Sequence, residues 1–350
     1  MNKLRAWFEM IFGGRSGNLL LALTVSLLIL AIFRPGYFTL DNLRVIALNV
    51  SSIGIASVGM ALLIISGNVD LSIGSIYAAA AVMAAWLALS VSPPLAVLGG
   101  VLLGALLGLT NGALVWRIRV SPIIVTLGSF TVIRGMMVVL THGRSIYGIP
   151  EDFFVVGRAV PLGIPTQVWT LVIVAVLAHI VLSRTTIGRY IYAIGTNREA
   201  SEVAGINIRL FVLILFAVNG LLAALPGVLA ASRFGAASIE YGVGFELQVI
   251  TAVILGGVAF SGGEGSIKGV MLAVAFLGVM NSGLISLGVD PAYTDVVRGA
   301  ALVASVLIEQ LTQERNERFR RTVAMEDWAA QMKEKRTDAT IRPRLEPSDH

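Results

Sequence analysis

The chain has 350 residues, of which 56% are hydrophobic and 13% charged, about half the charged share of an average globular protein. That balance excludes a soluble two-domain protein, and Gly 37 against Pro 11 with mean hydropathy +0.84 describes apolar helices whose small residues let them pack inside lipid. Net charge +5 is too small an excess on so apolar a chain to point to nucleic acid, and Cys 0 removes disulfides, thiolate nucleophiles, iron–sulfur clusters and thiolate zinc sites, while leaving the compartment open.

The first sixteen residues place Leu4, Trp7, Phe8, Ile11 and Phe12 on one helical stripe beside Lys3 and Arg5, which predicts an amphipathic helix over 1–16 lying in the membrane interface. A helix needs about 20 apolar residues to cross the hydrocarbon. Ten runs approach that length: 17–33, 45–65, 71–89, 95–116, 123–141, 167–183, 208–231, 246–260, 267–287 and 291–309. The first is not a signal peptide, because Arg34, Pro35 and Gly36 follow it with no small-residue cleavage site. Segment 17–310 is therefore predicted to be an all-α, ten-helix transmembrane domain. The segment 66–74 weakly resembles 261–269, each following one apolar run and opening another, which would fit two halves of five spans. The charge-rich tail 311–350 reads as a solvated segment, with a surface helix in its first half and a disordered end carrying Pro343 and Pro347.

Cytoplasmic loops retain the excess of Lys and Arg. With the amino terminus inside, Lys3, Arg5, Arg15, Arg117, Arg119, Arg184, Arg189, Arg198, Arg209 and Lys268 fall inside, whereas Arg34, Arg44, Arg144, Arg158 and Arg233 fall outside. An even number of crossings then puts both termini in the cytoplasm.

Enzyme signatures are absent from the sequence. There is no phosphate-loop motif with which the chain could bind ATP itself, and no H-E-x-x-H motif. His142, His179 and His350 are too scattered to suggest a shared metal site, and Gly-Gly-Glu-Gly at 262–265 lacks the strand-to-helix context of a phosphate cradle, so it reads as a membrane-edge turn. No catalytic residue, metal or cofactor is expected. Gly100, Gly104, Gly108 and Gly112 recur every four residues, the spacing that lets a neighbouring backbone approach, and are assigned to helix packing. Polar groups inside apolar runs are costly and should face the bundle interior or a water-filled cavity. They are Asn49, Asp70, Asn111, Thr126, Arg134, Asn219, Glu246, Gln248, Asn281, Asp295 and Arg298, the last two close enough to a span end to snorkel. A largely uncharged set suits hydroxyl-rich solutes better than ions. The loop 184–209 is long for a compact bundle. Asn197 is placed to cap a short helix with Glu199 in its first turn and Gly205 at its end, so the loop reads equally as a charged connector or as a partner-docking segment.

At this loop a family resemblance emerges. GRYIYAIGTNREASEVAGINI at 188–208, NGLLAALPGVLAASRFG at 219–235, the stretch GFELQVITAVILGGVAFSGGEGSIKG that follows, SGNVDLSIGS at 66–75 and VSPIIVTLGSFTVIRG at 120–135 resemble permease subunits of bacterial ABC importers for ribose, related monosaccharides and autoinducer-2. The resemblance covers about 49–311. It implies a ten-helix permease of the inner membrane, in contact with membrane lipid, paired with a second copy or a sister permease. It also implies a separate cytoplasmic ATPase that drives transport and a periplasmic sugar-binding protein that delivers the cargo. The family's ATPase-docking helix maps onto 197–205, with Asn197, Glu199, Ala200, Ala204 and Gly205 as coupling positions. For the translocation path the polar set narrows to Asp70, Asn111, Thr126, Arg134, Asn219, Glu246 and Asn281. Asn68 stands where the family usually has glycine, Arg198 adds a charge to the docking segment, and the tail is longer than usual. The family implies alternating access coupled to ATP hydrolysis. Nucleosides, branched-chain amino acids and autoinducer-2 remain alternative cargoes, and an ion-coupled secondary sugar carrier is the rival from another class.

Overall fold

The computed structural model describes residues 15–290 except Arg119, together with positions 293, 296, 299, 300 and 303. The amphipathic segment 1–14, the tail 311–350 and most of the tenth run, including Asp295 and Arg298, lie outside the described residues. The described helices are α1 (Arg15–Phe33), α2 (Leu40–Ile65), α3 (Ile73–Ala88), α4 (Pro93–Ile118), α5 (Pro122–Thr141), α6 (Glu151–Arg158), α7 (Thr166–Arg184), α8 (Thr186–Thr196), α9 (Arg198–Val203), α10 (Ile208–Phe234), α11 (Phe245–Leu255) and α12 (Ile267–Ser286). Among these residues there is no strand, only one antiparallel bridge between Ile146 and Ala237.

Local chemistry sets the ends of these helices. Pro93 and Pro122 open α4 and α5 at the position where a missing N–H costs nothing. Side chains of Thr185, Asn197, Asn207 and Ser266 accept backbone N–H groups at the starts of α8, α9, α10 and α12. Gly235, in the left-handed region, ends α10.

Nine of the ten predicted runs are helical, but they are not alike. Helices α2, α4, α5, α7, α10 and α12 have the length and hydropathy to cross a membrane, whereas Leu19–Phe33 of α1, α3 and α11 are shorter. The run 246–260, read as one crossing, is helical only over Phe245–Leu255 because Gly256 and Gly257 end it. Eleven residues rise about 16 Å, roughly half the hydrocarbon thickness.

Helix α10 forms the axis of the bundle, packing chiefly against α4, α3 and α2. Its contact with α4 follows the glycine ladder. A Cβ on Gly104 would come within 2.6 Å of the Gly220 carbonyl, one on Gly100 within 2.7 Å of Val228, and one on Gly108 would strike the Phe216 carbonyl. Close backbone approach of this kind replaces the hydrophobic drive that lipid does not supply. The rest of the α4 surface carries exposed Leu95, Leu98, Leu102, Leu106 and Leu109, so large apolar side chains point outward and small ones inward. Most of α3 is buried, and seven of its sixteen residues are alanine, for the same reason.

Candidate functional site

Between α2 and α3 the chain is interrupted at Ser66–Ser72, and between α11 and α12 at Gly256–Ser266. The two interruptions meet. Gly263 N–H donates to the Ile65 carbonyl at 2.8 Å, and a Cβ on Gly262 would lie 3.1 Å from Gly67 Cα. These are the two segments whose sequences weakly resemble each other. Helix α8 is wedged against the junction: a Cβ on Gly195 would collide with the Ile65 carbonyl, and Tyr192 Oη donates to the Gly265 carbonyl at 2.8 Å. Burial pushes the Tyr192 phenol above its usual range, which keeps it a donor.

Just beyond the junction, four of the seven path candidates converge in one buried network. Asp70 is fully buried; its Oδ1 accepts from Ser72 N at 2.8 Å and Ser72 Oγ at 2.6 Å, and its Oδ2 accepts from Asn219 Nδ2 at 3.1 Å. Asn111 Nδ2 donates to Ser72 Oγ at 2.8 Å, and Thr126 Oγ1 accepts the Leu71 N–H at 3.0 Å. The network ties the first interruption to α4, α5 and α10. It is closed to solvent.

Arg134 and Glu246 form a second group. Arg134 Nη1 donates to the carbonyls of Ile239 and Tyr241, and its guanidinium stands 5.6 Å above the Phe130 ring. Glu246 lies in the first turn of α11, where a negative charge suits the helix dipole. The two charges attract each other through space, yet among the described residues Arg134 Nη2 and Glu246 Oε2 are both buried without a hydrogen-bond partner. Gly74 is required beside them, because a Cβ there would collide with the Glu246 carboxylate and the Gly242 carbonyl.

The open space lies next to these groups. A cavity of about 280 Å³ is lined by Asn49, Ser52, Ile53, Tyr77, Gly242, Val243, Phe245, Gln248 and Asn281. A smaller void that shares Asn49, Ile53, Gln248 and Asn281 extends it toward Thr251, Leu277 and Gly278. Among the path candidates only Asn281 lines it. Asn49 and Gln248 belong to the wider polar set, whereas Tyr77 and Ser52 are not legible in the sequence: one hydroxyl or phenol inside an Ala-rich or apolar run carries no signal of its own. Tyr77 is held against Phe245, with ring centroids 4.9 Å apart, and Gln167 Nε2 donates to Ser52 Oγ from α7. Polar groups without charge, beside an aromatic face, can hold a neutral solute by hydrogen bonds and ring contact.

The positions expected to couple to an ATPase form a separate feature. Asn197 Oδ1 accepts the Ala200 N–H at 2.9 Å and so caps α9, and Gly205 leaves it with φ 82°. Glu199, Ala200, Glu202, Val203, Ala204 and Gly205 are exposed, Val203 by 91%. An apolar tip presented to this extent on a short polar helix is suited to a partner surface.

Apolar helices, two of the connections between them interrupted, around a small uncharged polar cavity define a multi-pass membrane permease. Residues 42–306 match the family described as the branched-chain amino acid transport system permease component, and the chain belongs to that family. It is a transporter subunit and not an enzyme. It is 37% identical over 301 residues to the ribose import permease protein RbsC of Escherichia coli K12, covering 84% of this chain and 93% of that one. It is 36% identical over 290 residues to the D-allose transport system permease protein AlsC of the same strain, covering 81% and 89%. With the L-arabinose ABC transporter permease protein AraH of Azospirillum brasilense it shares 35% over 277 residues, covering 79% and 82%. No solved structure matches the chain.

Proposed function

We propose that the chain is the membrane subunit of an ATP-driven importer for a monosaccharide, with the cavity between α2, α3, α11 and α12 as the place where the sugar is held. The similar permeases named for ribose, allose and arabinose support this reading. The single observation that carries it is the lining itself. Asn49, Ser52, Gln248, Asn281 and Tyr77 supply donors and acceptors and no formal charge. A branched-chain amino acid would bring an ammonium and a carboxylate that nothing in this lining would neutralise. The volume, about 280 Å³, lies just below the usual range of ligand pockets, roughly 300–1,000 Å³, and so suits nothing larger than a single small sugar.

In this reading a separate cytoplasmic ATPase grips α9 at Asn197, Glu199, Ala200, Ala204 and Gly205, and a periplasmic sugar-binding protein delivers cargo to the other side. Ten spans, both termini in the cytoplasm, and a second permease copy completing the path belong to the same proposal. Closure of the ATPase would move α9 and α8, and α8 bears on both interruptions through Gly195 and Tyr192. Asp70, Asn111, Thr126 and Asn219 then act as the brace that moves with the first interruption, and Arg134 with Glu246 as a charged latch beside the cavity.

The test is the reconstituted importer with its ATPase and binding protein in vesicles. Ala204→Trp is expected to abolish uptake and sugar-stimulated ATP hydrolysis while the permease still inserts. Gln248→Ala and Asn281→Ala are each expected to lower uptake about tenfold or more, the cost of one hydrogen bond to a buried solute, while basal ATP hydrolysis persists. Uptake that survives ATP depletion but fails on loss of membrane potential would overturn the proposal in favour of an ion-coupled carrier.

A further inference from the structure

Near the end of α4, Trp116 forms one wall of a cleft of about 340 Å³ whose other walls are Ala113, Arg117, Arg209 and Leu213. The two guanidinium groups come from different helices, the last turn of α4 and the first turn of α10. Neither has an ion-pair or hydrogen-bond partner among the described residues, and both are exposed. Arg117 suits the dipole at the end of its helix, but Arg209 does not: a cation in a helix's first turn is disfavoured unless an anion stands near it. Deeper along the same stripes, four-residue steps lead from Arg117 to Ala113 and exposed Leu109, and from Arg209 to Leu213. The groove is thus cationic at its mouth and apolar along its length, with an indole between.

We infer that this groove holds an anionic phospholipid, its phosphate between Arg117 and Arg209 and its acyl chain along Ala113, Leu109 and Leu213. A free phosphate would account for the arginines but leave the apolar walls without a role, whereas one amphiphile accounts for both. Basic pockets between helix ends at the cytoplasmic surface are the kind of place where anionic headgroups bind. The inference rests on the membrane reading of the chain and not on the identity of its cargo.

The experiment uses the purified full chain and native mass spectrometry, with phosphatidylglycerol, phosphatidylethanolamine and inorganic phosphate as probes. The wild type is expected to retain phosphatidylglycerol about tenfold or more over phosphatidylethanolamine, and Arg117→Gln with Arg209→Gln to erase that preference at an unchanged melting temperature. Should the double variant fail to fold, Ala113→Trp, which fills the groove and keeps both charges, is expected to cut the preference as far. No preference in the wild type, or a full preference in the folded variants, would overturn the inference. Displacement of the lipid by millimolar inorganic phosphate would also overturn it, making the site one for small anions. Uptake is not a readout, so failure here leaves the sugar-import proposal standing.

Discussion

Asp70 is a carboxylate with no cation beside it among the described residues, held by Ser72, Asn219 and, through Ser72, Asn111. Every donor aimed at it is buried, so Asp70→Ala leaves Ser72 N–H and Asn219 Nδ2 with neither a partner nor water, at about 1–3 kcal/mol for each unmet group. The expected outcome is a lower melting temperature and less folded protein in the membrane. Gln248→Ala, at the cavity wall, is expected to leave the melting temperature unchanged; thermal unfolding of the two variants in detergent checks both. Asp70 without effect on stability would mean that the brace bears no load. Sequence alone identifies these polar residues as costly and therefore inward-facing. It does not say which of them face each other and which face a void, because that depends on helix rotation. Asp70, Asn111, Thr126 and Asn219 close on one another, whereas Asn49, Gln248 and Asn281 are left around open space, and Tyr77, silent in the sequence, joins them because Phe245 of another helix holds its ring.

Among the helices, the tightest relation is that of α4 to α10, and it depends on the absence of side chains. Gly108→Ala would push a methyl group into the Phe216 backbone, which is not a flexible side-chain end that could move aside. Overpacking of this sort costs about 1–3 kcal/mol. Gly135→Ala on α5, where a Cβ meets nothing within 4 Å, is expected to be neutral or to gain up to about 1 kcal/mol from helix propensity. Melting temperatures of the two variants, measured side by side, check this; equal values would show that α4 and α10 can separate at no cost. The ladder and most helix boundaries are legible in the sequence because four-residue glycine spacing, Pro at helix starts and Asn or Ser caps act locally. The shortness of α11 is not, because Ile254 and Leu255 continue into Gly256, Gly257, Val258, Ala259 and Phe260 with no polar residue to mark the end. A hydropathy window sees one run there. The backbone, with Gly257 at φ 86°, turns to meet the Ser66–Ser72 interruption, a contact set by residues nearly two hundred positions away.

For the molecule in its membrane, the distribution of charge and the position of α9 lead to one arrangement. Between Tyr147 and Val203, α7 alone has the length and hydropathy of a span, so those two residues should stand on opposite sides. In the proposed orientation, where the segments sharing a side with α9 carry the excess of Lys and Arg, Val203 would stand in the cytoplasm and Tyr147 outside. Since the sequence holds no cysteine, single introduced thiols report without background. Tyr147→Cys, at a position 72% exposed, is expected to react with a membrane-impermeant maleimide in intact spheroplasts, and Val203→Cys, at one 91% exposed, only in inverted vesicles. Adding the ATPase to the vesicles should then protect Val203→Cys and leave a thiol at Tyr147 untouched. Labelling of both from one side would mean that α7 does not cross. Labelling of each from the opposite side would reverse the orientation, and with α9 turned away from the nucleotide no ATPase could work the interruptions through α8.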